Sequence, residues 1–263
     1  SLLIFAGIAA RIPAEGKSIL DSRGGMVFAA VCVATLLIII GVVFVEQGQR
    51  RIPVQYAKRM VGRKMYGGTS TYLPLKVNQA GVIPVIFAVA FLSLPAFIGQ
   101  ILKATGNPDY AELASNLIIW FQAPNPGSFI GADWQAFIYP ITYFVLVIFF
   151  TYFYTGIVFN ANEISENLQK QGGFIEGVRP GKTTEKYLST TVNRLILFGS
   201  LVLGLIAVTP FIAEYLLYQF AGITGTNLSI GGTGLLIVVS VALEMLRQIN
   251  SRALMVTYDD YDR

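Results

Sequence analysis

Residues able to carry out catalysis or bind metal are scarce in this chain, and none of its 263 residues is a histidine. Without an imidazole, a Ser-His-Asp or Cys-His nucleophile system and a His-ligated metal site are excluded. The single cysteine, Cys32, has no partner for a disulfide. Gly181-Lys182-Thr183 has the ending of a phosphate-binding P-loop, but Glu176 stands where that motif requires a glycine. We therefore predict no catalytic residue, no cofactor and no metal site.

The composition is that of a chain dissolved in lipid. Hydrophobic residues make up 54% of the sequence and charged residues 13%, whereas a soluble domain carries about 25% charged residues. A helix needs about 20 apolar residues to cross the membrane. Five stretches meet this requirement: 26–45, 77–102, 136–159, 195–213 and 230–246. Residues 1–10 are predicted to be the end of a sixth helix. The predicted fold is therefore an all-α polytopic membrane protein.

The third span contains Pro84 and Pro95. Proline removes a backbone donor and clashes with the preceding turn of a helix. We expect these prolines to kink or divide the span.

Basic residues are concentrated on one side of the predicted spans. Loop 46–76 holds seven of the 19 Lys and Arg residues, loop 160–194 holds five and the segment after residue 246 holds three. Only four remain for the opposite side, although three of these lie together in the first connection. Because loops rich in Lys and Arg face the cytoplasm, we predict that both long loops and the C-terminus are cytoplasmic.

The first of these loops has the pattern of a hairpin. Ile52, Val54 and Tyr56 alternate with other residues as in a strand, and Gly62 offers a turn position. Its clustered cations could serve only to orient the protein, or they could bind a polyanion or an acidic partner. Their number favours docking; the candidate residues are Arg50, Arg51, Lys58, Arg59, Arg63 and Lys64.

The second loop is predicted to contain a short polar helix, Asn162 to Lys170, and a second helix that begins near Thr183. Between them lies a turn in which Arg179 precedes Pro180. Proline restricts the preceding residue, so Arg179 is held in a defined position. A partner contact and a local packing role both fit this spacing.

Ionisable residues are almost absent from the five spans, where Glu244 stands alone. Transporters and pumps keep such groups at membrane depth to carry ions or protons. Intramembrane proteases need paired catalytic groups at that depth, and the five spans contain no such pair. A secondary transporter remains an alternative because the third span is broken by proline. A passive conduit would need a collar of bulky aliphatic residues, for which Ile4, Ile86 and Ile237 are candidates.

Four runs, in this order and at this spacing, closely resemble the SecY family of protein-conducting channels in the bacterial Sec translocon: EQGQRRIPVQYAKRMVGR, STYLPLKVNQAGVIPVIFA, GVRPGKTTEKYL and GGTGLLIVV. The resemblance implies ten transmembrane helices in the whole family member. This chain resembles the C-terminal half, from the end of the fifth helix to the tenth. It implies a bacterial plasma membrane protein that passes unfolded secretory proteins and releases transmembrane segments into lipid.

The same resemblance implies roles for individual residues. Ile4, Ile86 and Ile237 match members of the pore ring, and Asn78 and Pro84 fall at the lateral gate. The basic residues of loop 46–76, together with Arg179, correspond to positions that dock the motor ATPase SecA or the ribosome. The implied partners are the SecE and SecG subunits, SecA, the ribosome, signal peptides, nascent chains and membrane lipid.

Overall fold

The computed structural model describes residues 6–7, 10, 12–56, 59–61, 64–66, 70–124 and 134–221, and a few helical positions between 234 and 249. The chain divides into two compact units. The first contains Ser1–Phe44, Val82–Val147 and Gly204–Arg263, and the second contains Val45–Gly81 and Ile148–Leu203.

Most of the described chain is helical, which confirms the predicted class. The helices are α1 (Ile12–Arg23), α2 (Gly25–Gln47), α3 (Ile83–Ala104), α4 (Ala111–Phe121), α5 (Gln135–Val158), α6 (Ala161–Lys170) and α7 (Lys182–Ala221). Among the described residues, four stretches are long and apolar enough to cross a membrane: Gly25–Gln47, Ile83–Ala104, Gln135–Lys170 and Lys182–Ala213. The predicted spans 1–10 and 230–246 fall largely outside the described residues.

Helices α1 and α7 differ in extent from the sequence prediction. Helix α1 occupies residues that we had treated as a connection. Helix α7 begins at Lys182, next to the predicted helix start near Thr183, and it continues without a break through the apolar stretch 195–213, so the two predicted helices are one. Hydropathy identifies the part of a helix that is apolar and not the polar turns that continue it.

Helix α3 begins at Ile83 and not at Val77 as predicted for the third span. The residues before it form a turn in which Gly81 has a φ of 65°, a conformation that glycine adopts without steric cost. Pro84 lies in the first turn, where its missing N–H leaves no helical bond unmade. The helix then continues past Pro95 to Ala104, so neither proline divides it.

Helix α4 packs closely against α3 in the first unit. Gly99 of α3 is buried, and a Cβ there would lie 3.0 Å from the carbonyl oxygen of Ala114 and 3.0 Å from Cγ1 of Ile118. Ala114 is itself fully buried. Small residues on both helices therefore allow the short amphipathic α4 to lie against the span.

The second unit is built on a small antiparallel sheet with the order β4-β1-β5. Strand β1 (Gln49–Tyr56) pairs along its length with β4 (Ser70–Lys76), and its end pairs with β5 (Gly173–Ile175). One face of the sheet packs on α6 and α7. The shared core consists of Ile52, Val54, Leu75, Leu168, Ile175, Leu188, Val192 and Ile196.

Strand β5 was not predicted. Only three residues long, it has no alternating pattern of its own, and its pairing partner Val54 is far away in the sequence. It joins the two loops, 46–76 and 160–194, into one sheet. Gly173 lies close to its neighbours there: a Cβ would lie 3.0 Å from Cε1 of Tyr56 and 3.2 Å from Cδ2 of Leu168, so these side chains would have to shift to admit it.

Candidate docking surface and gate residues

Arg50 and Arg51 lie at the start of β1, and both are exposed. Two residues further on the strand enters the core, where Ile52 and Val54 are 3% and 1% exposed. Their burial fixes the register of β1 against β4, since a slip of one residue would turn the apolar side chains to solvent. The pairing of β1 with β4 therefore holds the two arginines in a defined position at the start of the central strand.

The predicted hairpin in loop 46–76 is confirmed by the strand pairing. Beyond β1 and β4, the short strands β2 (Arg59–Val61) and β3 (Lys64–Tyr66) pair antiparallel, with Val61 opposite Lys64. Only residues 62 and 63 separate the two strands, so Arg59 and Lys64 lie near the tip. Lys58 and Arg63 lie outside the described residues.

Arg179 lies in a braced turn between β5 and α7, and it is exposed. The hydroxyl of Thr184 donates a 2.9 Å hydrogen bond to the Arg179 carbonyl oxygen, and the hydroxyl of Ser165 donates a 3.0 Å bond to that of Gly181. Gly181 has a φ of 99°, which a residue with a side chain rarely adopts. These contacts hold the backbone beside Arg179 in one conformation and leave its side chain at the surface.

Asn78, the candidate gate residue, is buried at 4% exposure. Its side-chain amide donates a 2.7 Å hydrogen bond to Oε1 of Glu46 and a 3.1 Å bond to the carbonyl oxygen of Gly81. The second bond closes the turn that precedes α3. The first ties that turn to the end of α2. Asn78 Oδ1 accepts no hydrogen bond from the described residues.

The backbone beside Asn78 packs against α7 without intervening side chains. Val77 donates a 2.9 Å backbone hydrogen bond to the Gly48 carbonyl oxygen, which continues the β1–β4 ladder. Gly199 of α7 lies so close to Val77 that a Cβ on this glycine would collide with the Val77 carbonyl oxygen. Glu46, Gly48, Val77, Asn78 and Gly199 thus form a tight group, which we call the turn junction.

The candidate pore residues are only partly described. Ile86 and Ile237 are helical and half-buried, and Ile4 lies outside the described residues. Pro84 is fully buried in the first turn of α3. Glu244 lies outside the described residues. The described residues contain no cluster of His, Cys, Asp or Glu able to hold a metal ion.

The sequence analysis did not identify Glu46, which it placed at the start of loop 46–76. Helix α2 continues to Gln47, and Glu46 is only 8% exposed. A carboxyl group beside the boundary of an apolar run is ordinarily solvated, so nothing in the local sequence distinguished it. Its partner Asn78 is 32 positions away.

Comparison with known proteins gives a consistent result along the whole chain. The family model described as SecY matches residues 1–246. The protein translocase subunit SecY of Mycobacterium tuberculosis (strain ATCC 25618 / H37Rv) is 53% identical over 99% of this chain. That of Corynebacterium glutamicum is 51% identical over 98%, and that of Streptomyces galbus is 45% identical over 100%. The chain spans 56% of the length of each of these relatives.

Solved structures with a similar fold are also found. One, described as showing that the plug domain of the SecY protein stabilises the closed state of the translocation channel, has a TM-score of 0.65 and 21% identity over 95% of this chain and 58% of its own. Another, described as the structure of a protein conducting channel, has a TM-score of 0.59 and 21% identity over 89% and 52%. At this identity the likeness concerns the fold.

Proposed function

Because the chain belongs to the SecY family, we propose that it forms the C-terminal half of a channel that conducts unfolded secretory proteins across the membrane and releases transmembrane segments sideways into lipid. The observation that carries this proposal is the match of residues 1–246 to the family model. The chain is not itself an enzyme. It spans about half of its relatives, so the complete channel requires the remaining half.

In this proposal a collar of aliphatic side chains seals the pore. Ile4, Ile86 and Ile237 are the proposed members from this chain. An apolar constriction excludes water and thereby blocks ions, while it opens for a polypeptide without breaking polar contacts. Ile86 and Ile237 are half-buried, so this chain leaves part of each side chain uncovered, as a pore-facing position requires.

Asn78 and Pro84 are the proposed contribution to the lateral gate. The turn junction supports this role, because Asn78 and Gly81 define where α3 begins. Pro84 lies in the first turn of α3, where its missing N–H costs the helix no hydrogen bond. In this proposal signal peptides and nascent transmembrane segments pass beside this end of α3.

The second unit is the proposed docking surface for SecA and the ribosome. The sheet joins both basic loops, with Arg50, Arg51, Arg59 and Lys64 on or near the hairpin and Arg179 on the braced turn. Clustered cations suit an acidic protein surface or ribosomal RNA. This assignment places loops 46–76 and 160–194 and the C-terminus in the cytoplasm of a bacterium, with SecE and SecG as further subunits in its plasma membrane.

The alternative of a secondary transporter rests on a broken third span. Helix α3 is continuous from Ile83 to Ala104, and the family match favours the channel.

The test is a photocrosslinking experiment on the full-length protein in its membrane complex. A photoreactive residue at Ile86 or Ile237 should capture a secretory chain stalled during transport. Leu37 of α2, which is 65% exposed and has no assigned pore role, is the control and should react with lipid. Crosslinks from Ile86 and Ile237 to lipid alone would contradict the proposed pore positions.

A further inference from the structure

The chain passes between the two units at four places, and one of these passages differs from the other three. Helices α2, α5 and α7 each contribute residues to both units without a break. The remaining passage, from Gly81 to Val82, lies in a turn, and α3 begins directly after it at Ile83. The proposed gate helix is therefore joined to the second unit by a turn and not by a continuous helix.

The local structure of this turn allows a change of direction. Gly81 has a φ of 65°, and none of the described atoms lies within 4 Å of the position that a Cβ would take. Val82, the N-cap residue of α3, makes no side-chain hydrogen bond to the helix, although such caps ordinarily fix the start of a helix. A rotation at Gly81 would therefore meet open space and break no cap, which makes this glycine a suitable hinge.

The chain before this turn is already fixed by its backbone. Val77 donates a 2.9 Å hydrogen bond to the Gly48 carbonyl oxygen, and Gly199 of α7 lies directly against the Val77 carbonyl group. A movement of the start of α3 is thereby confined to the residues from Asn78 to Gly81.

The side chain of Asn78 restrains this segment and is itself held by Glu46. One amide hydrogen is donated to the Gly81 carbonyl oxygen at 3.1 Å and the other to Oε1 of Glu46 at 2.7 Å. Glu46 belongs to the end of α2 and is buried. Because the amide group is planar, the bond to Glu46 fixes the direction of the second hydrogen. Glu46 thus acts on Gly81 through Asn78.

We propose that Glu46 is a positioning residue of the lateral gate, which holds the turn before α3 in the conformation of the closed gate. This inference rests on the proposed function. When the gate opens, the chain rotates at Gly81 and the bond between Asn78 and Glu46 breaks, so the free energy of opening includes the loss of that bond. An apolar signal peptide offsets this cost as it enters lipid. Without the bond, a less apolar signal peptide is sufficient.

The experiment compares the export rates of two precursors in membrane vesicles that contain the full-length channel complex. Their signal peptides differ only in that two leucines of the apolar core of one are serines in the other. The strongly apolar peptide opens the gate with or without the bond, so its export rate reports the amount of folded channel. The ratio of the weak to the strong export rate measures how readily the gate opens.

Glu46→Ala should raise this ratio about five-fold, because loss of one buried hydrogen bond shifts a two-state equilibrium by about that factor. Glu46→Gln keeps an oxygen that accepts the Asn78 hydrogen bond, so its ratio should stay close to that of the unmodified channel. The matched control is Gln47→Ala, at the next position of α2, where the side chain is exposed. Its ratio should be unchanged.

Equal loss of both export rates in Glu46→Ala would overturn the proposal, since Glu46 would then only maintain the fold. An unchanged or lower ratio in this variant would also overturn it, as would a ratio that Glu46→Gln raises as much as Glu46→Ala. These outcomes differ from a failure of the proposed function, in which the unmodified protein would export neither precursor.

Discussion

Asn78 donates a 2.7 Å hydrogen bond to the Glu46 carboxyl group, and both side chains are buried. The bond joins the turn before α3 to the last residues of α2. A second bond from the same amide, to the Gly81 carbonyl oxygen, sets the shape of that turn. One side chain thus holds the segment that leads into the proposed gate helix.

Replacement of Asn78 tests this relationship. Asn78→Ala removes both hydrogen bonds and leaves buried acceptors with fewer donors, so we expect the free energy of unfolding to fall by about 2 kcal/mol. Thermal unfolding of the purified complex in detergent measures the change. Asn162→Ala, at an exposed position of α6, is the control. Equal stability of the two variants would show that the buried bonds contribute nothing.

Gly199 tests the close approach of α7 to the turn junction. In Gly199→Ala the new Cβ collides with the Val77 carbonyl oxygen, and overpacking of this kind costs about 1–3 kcal/mol. Gly156→Ala in α5 is the matched control, because no atom lies within 4 Å of its Cβ position. Helix propensity should then make the control neutral or more stable by up to about 1 kcal/mol. Parallel thermal unfolding compares them, and a stable Gly199→Ala would contradict the packing.

The brace around Arg179 can be tested without changing the arginine. Thr184→Val keeps the shape of a buried side chain but removes the hydroxyl that bonds to the Arg179 carbonyl oxygen. Loss of one such bond costs about 1 kcal/mol, so amide hydrogen exchange in residues 178–181 should accelerate about five-fold. Thr183→Val, at an exposed neighbouring position, should leave exchange unchanged. Equal exchange in both variants would argue against the brace.

The basic tip of the hairpin predicts a partner interaction. Charge reversal by Arg63→Glu with Lys64→Glu should weaken binding of SecA or the ribosome at least about ten-fold, because like charges that face each other cost more than about 1.4 kcal/mol. Equilibrium binding to the reconstituted channel at moderate salt measures it. Lys103→Glu, which is predicted to lie on the opposite side of the membrane, is the control. Unchanged affinity for the double variant would remove the docking proposal.

The sequence alone was sufficient for features that depend on local pattern. Charge-free apolar runs predicted the helices that became α2 and α5, because any helix with such a surface must avoid water. Alternation of Ile52, Val54 and Tyr56 predicted the hairpin, since burial of one face requires that period. The extents of the helices were harder to predict, as α3 and α7 show, because a glycine turn can delay the start of a helix and a polar helix can run on into an apolar span.

Contacts between distant parts of the chain were decided only by the tertiary structure. Strand β5 exists because β1 offers it an edge, and Glu46 is buried because Asn78 reaches it across 32 positions. The approach of Gly199 to Val77 has the same origin. Such contacts depend on which surfaces meet after folding, and neither hydropathy nor residue spacing records that.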